Sequence, residues 1–268
     1  MIDLGGQGAG CTGSAASGVL KPSIILFDYM VGTRSVTLAA GRYRIAVVGA
    51  GGGGRQQPRD VADSFGGSGG GYAEKELTVT IKTAFTYTVG VGGEAGTDLI
   101  EPIAGGTTSF GGILSATGGE KSTLLTSGLG GLGIGGDVNT QGGQGGVGGK
   151  TTGVGAGGGS AAHRYGNGLK ASGHNANGRY GAGFSTAGGN TKRSTSKIDG
   201  WGLGLFPEQE RYGCGSASST IYAHLEAGMG GGGMASDNIG SDGGLGGGSG
   251  SYVKGFGGNG LVIVEKLS

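Results

Sequence analysis

Residues 142–149 read GGQGGVGG, a Gly-Gly-X triplet repeat, and this tract limits what the chain can fold into more than any other. An α-helix is disfavoured, because each interior glycine costs about 1 kcal/mol relative to alanine. A conventional strand gains little from residues with almost no side chain to pack. What remains is an extended left-handed helix of about three residues per turn, rising about 3.1 Å per residue. In that helix X lies along one edge and the other two edges are bare, so neighbouring helices can come very close. It has no internal hydrogen bonds, yet buried N–H and C=O groups must be paired. Side-by-side packing meets both demands, since each helix then bonds to its neighbours. The expected product is a block of parallel and antiparallel polyglycine II helices.

One such helix alone is not expected to hold. Ordering a residue costs roughly 1–2 kcal/mol, and glycine loses more backbone freedom than any other residue. A hydrogen bond between helices returns only about 1 kcal/mol net. A cooperative array therefore needs a firmer framework. Gly130–Gly136, Gly230–Gly233 and Gly243–Gly250 are similar, less regular tracts, and glycine makes up 74 of the 268 residues. Collagen is excluded, because it needs glycine at every third position with abundant proline and this chain has 4 prolines. General disorder fits poorly with a net charge of +1 and 35% hydrophobic residues.

The framework is legible as strands. Ser23–Tyr29 (SIILFDY), Ser35–Ala39 (SVTLA) and Tyr43–Val48 (YRIAVV) are short apolar-rich runs. Tyr72–Ile81 (YAEKELTVTI) and Phe85–Val91 (FTYTVGV) alternate apolar with polar residues, the mark of half-buried antiparallel strands. Thr107–Thr117 supplies one or two more, and Leu261–Glu265 (LVIVE) is apolar enough for a central strand. The fold expected is mainly β: a β-sandwich carrying a long glycine-rich insertion packed as polyglycine II helices. Its parts are an arm or docking segment at 1–21, sandwich strands at 22–118 completed by 259–268, and the insertion at 119–258 with aromatic loops at 161–226.

The stretch YRIAVVGAGGGG contains G-x-G-x-x-G after a strand, the first turn of a dinucleotide site. That site requires a helix to follow, with its N-terminus facing the pyrophosphate. Here RQQPRDVADSFGGSGGG follows, without an apolar helical stripe and with interior glycines. The motif is read as a by-product of glycine abundance.

The near-neutral charge offers no general attraction for nucleic acid. No apolar run approaches the roughly 20 residues of a membrane span, and MIDLGGQGAGC carries no secretory-signal pattern. Cys11 and Cys214 are read as two thiols, since nothing in the sequence pairs them. His163, His174 and His224 lack metal-ligand spacing, and Asp237 and Asp242 are too sparse for a calcium loop. Glu208 and Glu210 read as a solvated loop, and no serine sits in a nucleophile-elbow context. No cofactor and no catalytic activity are expected.

A repeat marks the region between glycine tracts. R-Y-G-x-G begins at Arg164-Tyr165, again at Arg179-Tyr180, and again at Arg211-Tyr212. One reading is exposed Arg-Tyr pairs at loop tips, where tyrosine gives a flat contact face and arginine a planar fork for acidic groups. The other is that tyrosine caps the end of a glycine helix and shields its hydrogen bonds. Trp201 and Phe206, in DGWGLGLF, read as a plug or as tip residues.

The order of these segments resembles the glycine-rich domain of phage tail-fibre tip adhesins. The matching pieces are YRIAVVGAGGGG, GGSGGGYAEKELTV, FTYTVGVGGEAG, TTSFGGILSATGG and the terminal GGNGLVIVEK, over about 42–119 and 257–266. A related architecture occurs in the extracellular glycine-rich region of anaplastic lymphoma kinase-type receptors, but no kinase domain is read here. The phage resemblance implies a virion protein whose loops contact a host surface receptor, an outer-membrane protein or a glycan. The contact residues would then be Arg164, Tyr165, Arg179, Tyr180, Trp201, Phe206, Arg211 and Tyr212. It also implies other fibre or structural virion proteins as partners, with homo-oligomerisation open. The competing reading is a structural virion or filament subunit that uses the glycine lattice as a rigid scaffold.

Overall fold

The computed structural model describes residues 23–57, 63–148, 156–171, 230, 232–233, 235–236, 239–240, 242–251 and 255–267. These residues form strands and no helix. In chain order they are β1 (Ser23–Asp28), β2 (Gly32–Leu38), β3 (Gly41–Val48), β4 (Tyr72–Val79), β5 (Thr83–Val89), β6 (Thr108–Phe110) and β7 (Leu114–Ala116). Short strands follow at β8 (Gly133–Ile134), β9 (Val138–Thr140), β10 (Ala235–Ser236) and β11 (Ile239–Gly240), and β12 (Leu261–Lys266) closes the chain. Two five-stranded antiparallel sheets run β1-β12-β3-β4-β9 and β2-β5-β6-β7-β8, and β10 pairs with β11 separately. The last strand does lie inside its sheet: β12 pairs with β1 on one side and β3 on the other.

The two sheets enclose one apolar core. Tyr43, Ile45 and Val47 of β3 and Val262 and Val264 of β12 face Tyr87 and Val89 of β5, Phe110 of β6 and Leu114 of β7. Phe85 and Tyr87 both stack on Phe110, with ring centroids 5.4 and 6.3 Å apart. The turn between β6 and β7 needs its glycines: Gly111 and Gly112 have φ of +59° and +65°, and Ile113 N–H donates to Phe110 C=O. At one edge Asp28 joins the sheets, accepting hydrogen bonds from Arg34 Nε at 2.7 Å and Tyr87 Oη at 2.7 Å.

The opposite face of the β3 sheet is also buried. Ala46, Val48, Tyr72, Leu261 and Ile263 pack against Ala161 and Ala162 of a glycine tract. A strand covered on both faces must be apolar almost throughout, and that is why YRIAVV does not alternate.

The glycine tracts continue the strands outward. Residues 49–54 leave β3 and 66–71 return to β4; 90–96 leave β5 and 104–106 return to β6; 117–122 leave β7 and 128–132 return to β8. The lattice therefore draws on tracts before residue 119 as well as on those after it. Conversely, 133–140 supplies an edge strand to each sheet, β8 to one and β9 to the other. The G-x-G-x-x-G stretch, Gly49–Gly54, is one lattice tract.

Hydrogen-bond direction in these tracts repeats every third residue. Gly49 N–H donates to Gly71 C=O, Ala50 to Gly106 and Gly51 to Gly258; then Gly52 returns to the first neighbour at Ser68, and Gly53 to the second at Ile103. Gly66 and Gly69 donate to Gly146 and Gly143, while Gly67 and Gly70 donate to Ser249 and Gly246. A β-strand would alternate between two sides; a threefold rotation through neighbours is what a three-residue repeat requires. Both directions of packing occur. Gly49 and Gly52 meet an antiparallel tract, whereas Gly119 and Ser122 donate to Ala50 and Gly53 of a parallel one. Along 141–148 the glycines are buried while Gln141, Gln144 and Val147 are half-buried, so X lies on the outer edge. The spacing leaves no room for a side chain. A Cβ on Gly51 would stand 1.8 Å from Gly247 O, and one on Gly145 1.9 Å from Gly66 O.

Candidate interaction surfaces

Of the expected contact residues, Arg164 and Tyr165 fall within the described residues; Arg179, Tyr180, Trp201, Phe206, Arg211 and Tyr212 lie outside them, as do Cys11 and Cys214. The structure seats Arg164 and Tyr165 on a tight turn, 163–166, closed by reciprocal hydrogen bonds between the backbones of His163 and Gly166. Thr140 Oγ1 donates to His163 C=O, and the Asn167 side chain accepts from Gln141 N–H, so the turn is held to the end of β9.

The two side chains then part company. Arg164 reaches back onto the β3 sheet and pairs with Glu74 at 2.8 Å, with 18% of its side chain exposed. Tyr165 is 59% exposed, its ring 5.7 Å from the Arg164 guanidinium carbon. Beneath the turn, alternate residues of three neighbouring strands converge by register. Arg44 of β3 stands opposite Glu265 of β12 and Glu76 of β4. Arg44 pairs with Glu265 at 3.0 Å and with Glu74 at 3.5 Å, and Tyr72 Oη donates to Glu74. Burial, with the adjacent Glu74 carboxylate, holds the Tyr72 phenol well above its usual pKa, so it stays a donor. Burial lowers the pKa of His163 and favours its neutral imidazole. The guanidinium groups of Arg44 and Arg164 meet in one cluster at the Glu74 carboxylate, and the arrangement works as an ionic clasp between turn and sheet.

A second surface lies at the far end of the lattice, and sequence reasoning missed it. The turns 97–100 and 123–126 join outgoing to returning glycine tracts and are built alike. Thr97 Oγ1 accepts from Leu99 and Ile100 N–H, and Thr97 N–H donates to Ile100 C=O. Thr123 Oγ1 accepts from Leu125 and Thr126 N–H, and Thr123 N–H donates to Thr126 C=O. Each turn lifts a leucine into solvent: Leu99 is 90% and Leu125 82% exposed. The available signal was Thr-x-Leu twice between glycine tracts, and loop leucines carry no periodicity for pattern reading to use. Lys121 pairs with Glu101 at 2.7 Å and ties the two loops together.

Among the described residues no group of three His, Cys, Asp or Glu side chains is placed to hold a metal ion, and no helix is long and apolar enough to cross a membrane. A family model described as a glycine-rich domain matches residues 29–266, which takes in every strand after β1 together with the glycine tracts. No curated protein matches the chain.

Proposed function

The chain belongs to the glycine-rich domain family, and from that premise we propose that it is a non-catalytic virion protein, an adhesin at a phage tail-fibre tip that binds a host surface receptor. The observation that carries this reading is the lattice as a rigid extension of the sandwich, ending in turns with exposed side chains. Contact residues are commonly placed on loops held by a rigid scaffold. A block in which each backbone bonds several neighbours holds such loops with little loss of freedom on binding. The resemblance of its ordered segments to phage adhesins supports the same reading. Tyr165 on the turn at 163–166 remains a candidate contact, and the resemblance adds Arg179, Tyr180, Trp201, Phe206, Arg211 and Tyr212, which lie outside the described residues.

One observation favours a structural subunit instead. Among the described residues β1 is an edge strand, with Ile24 and Ile25 43% and 46% exposed, beside Met30 at 61%, and such an edge suits addition of another chain. Gold-labelled antibody against the protein, imaged on virions, separates the two. Label at fibre tips is expected. Label along a tail shaft, on a baseplate or over the capsid would overturn the adhesin reading in favour of the subunit.

A further inference from the structure

We infer that the far end of the lattice is a docking surface for a folded protein with apolar pockets, and that Leu99 and Leu125 are the knobs that enter them. The inference rests on the adhesin reading and narrows its receptor to protein.

The surface gathers Leu99, Ile100, Ile103, Leu124, Leu125 and Leu129, each more than half exposed. Single exposed leucines are ordinary, but contiguous apolar side chains on a monomer's surface mark interaction sites. Contiguity is fixed by the lattice. Gly53 N–H donates to Ile103 C=O and Gly53 C=O accepts from Ser122 N–H, so both loops flank one tract. Buried Arg55, further along that tract, donates from its guanidinium to Asp98 C=O at 3.0 Å and braces the first turn. Gln57 Nε2 donates to Leu124 C=O at 2.7 Å and braces the second. The threonine hydroxyls fix the turns from within. The knobs are thus ordered before binding, which lowers the entropy cost of association.

The chemistry selects the partner class. A glycan presents hydroxyls, and covering them with aliphatic side chains would leave them without hydrogen-bond partners; neither loop, TDLIEPI at 97–103 nor KSTLLTSGL at 121–129, carries an aromatic ring to stack on a sugar. An anionic lipid surface attracts lysine and arginine, and interfacial anchors are typically tryptophan, tyrosine and cations. Here Glu94, Asp98, Glu101 and Glu120 are exposed around the patch, Lys121 is held by Glu101, and Arg55 is buried. A protein surface with apolar pockets satisfies the leucines, and the carboxylates favour one with a basic rim.

The test uses the full-length protein, labelled, with Leu99→Ser, Leu125→Ser, the double variant, and Ile81→Ser as a control. Ile81 is 72% exposed in the turn between β4 and β5, at the sandwich end. The probes are a panel of intact bacterial strains, the same cells shaved with proteinase K, and phosphatidylethanolamine–phosphatidylglycerol vesicles. All variants should melt like the parent. Burying a leucine side chain accounts for roughly tenfold in affinity or more, so each single variant should bind intact cells about tenfold more weakly and Ile81→Ser should bind like the parent. Shaved cells and vesicles should capture little. A double variant that adsorbs like the parent overturns this inference and leaves the adhesin reading standing. Equal binding to shaved cells or vesicles overturns it in favour of glycan or lipid. A parent that dimerises through the leucines, with the double variant monomeric, overturns it in favour of a second copy. A parent that binds no strain overturns the adhesin reading and this inference together.

Discussion

Gly145→Ala tests whether the lattice has any slack. A Cβ there would stand 1.9 Å from Gly66 O, whereas ordinary contact begins at 3.4 Å, so the tracts must separate by about 1.5 Å. Two hydrogen bonds join them at that point, Gly66 N–H to Gly146 C=O at 3.0 Å and Gly69 N–H to Gly143 C=O at 2.8 Å. Opened by that much, neither survives. Counting only the buried N–H that each opened bond leaves without a partner, at about 1–3 kcal/mol, losing two bonds costs about 2–6 kcal/mol. The reduced freedom of alanine in the unfolded chain offsets only about 0.4–1 kcal/mol. At about 2–4 °C per kcal/mol for a chain of this order of size, melting should fall by roughly 2–20 °C. Two controls sit nearby. Val147→Ser changes a half-buried X position and should cost about 1 kcal/mol. Gly166 has nothing within 4 Å of its would-be Cβ, so Gly166→Ala should be neutral or stabilising by about 0.5 kcal/mol. Differential scanning calorimetry and urea titration read all three. If Gly145→Ala loses no more than Val147→Ser, or Gly166→Ala loses as much as Gly145→Ala, the close-packed account is refuted.

The ionic clasp predicts unequal roles for the Arg-Tyr pair at 164–165. Arg164→Met should destabilise by about 3 kcal/mol, because it leaves Glu74 buried with one cation fewer, while Tyr165→Ala should stay within about 0.5 kcal/mol in the same urea titration. Asp28 predicts an acid sensitivity. Burial works against its ionisation, but hydrogen bonds from Arg34, Tyr87 and Met30 N–H outweigh it and hold its pKa below the ordinary value. The folded pKa is depressed, so the contribution is present above the unfolded value near 3.8 and is lost as pH falls through the folded one. Stability should drop less between pH 5 and pH 3 in Asp28→Asn than in the parent, and an unchanged drop would remove Asp28 from the account.

Much of the sandwich was legible because its strands obey simple periods. YAEKELTVTI alternates and became β4; LVIVE is apolar up to its last residue and became the strand between β1 and β3. GGLGIGGDVNT gave no such signal, and β8 and β9 lie inside it. They are only 2 and 3 residues long, too short for alternation to register, and they exist because the edges of β7 and β4 were already there to pair with. The polar partnerships were hidden for a different reason. Arg164 and Glu74 are 90 positions apart, and nothing local in either segment marks the other. An Arg-Tyr pair looked like one unit in the sequence, yet neighbours on a tight turn point apart, one to the sheet and one to solvent.

The lattice and the sandwich are one folding unit, because they share the core on the outer face of the β3 sheet. Tyr72, Val48, Leu261 and Ile263 are fully or almost fully buried there, against Ala161, Ala162 and the partly buried Leu245. Without the glycine block these side chains would form an exposed apolar face, which a soluble sheet rarely tolerates. Without the strands, in turn, each tract would have to order its glycines for about 1 kcal/mol per hydrogen bond against roughly 1–2 kcal/mol per residue of backbone entropy. Strands already fixed in register remove part of that entropy, because the first residue of each tract is placed by the last residue of a strand: Gly49 by Val48, Gly90 by Val89 and Thr117 by Ala116. Neighbouring tracts then start side by side with their hydrogen-bonding directions set. The dependence runs both ways, so a glycine substitution deep in the lattice should lower the melting of the β-sheets with it, in one transition.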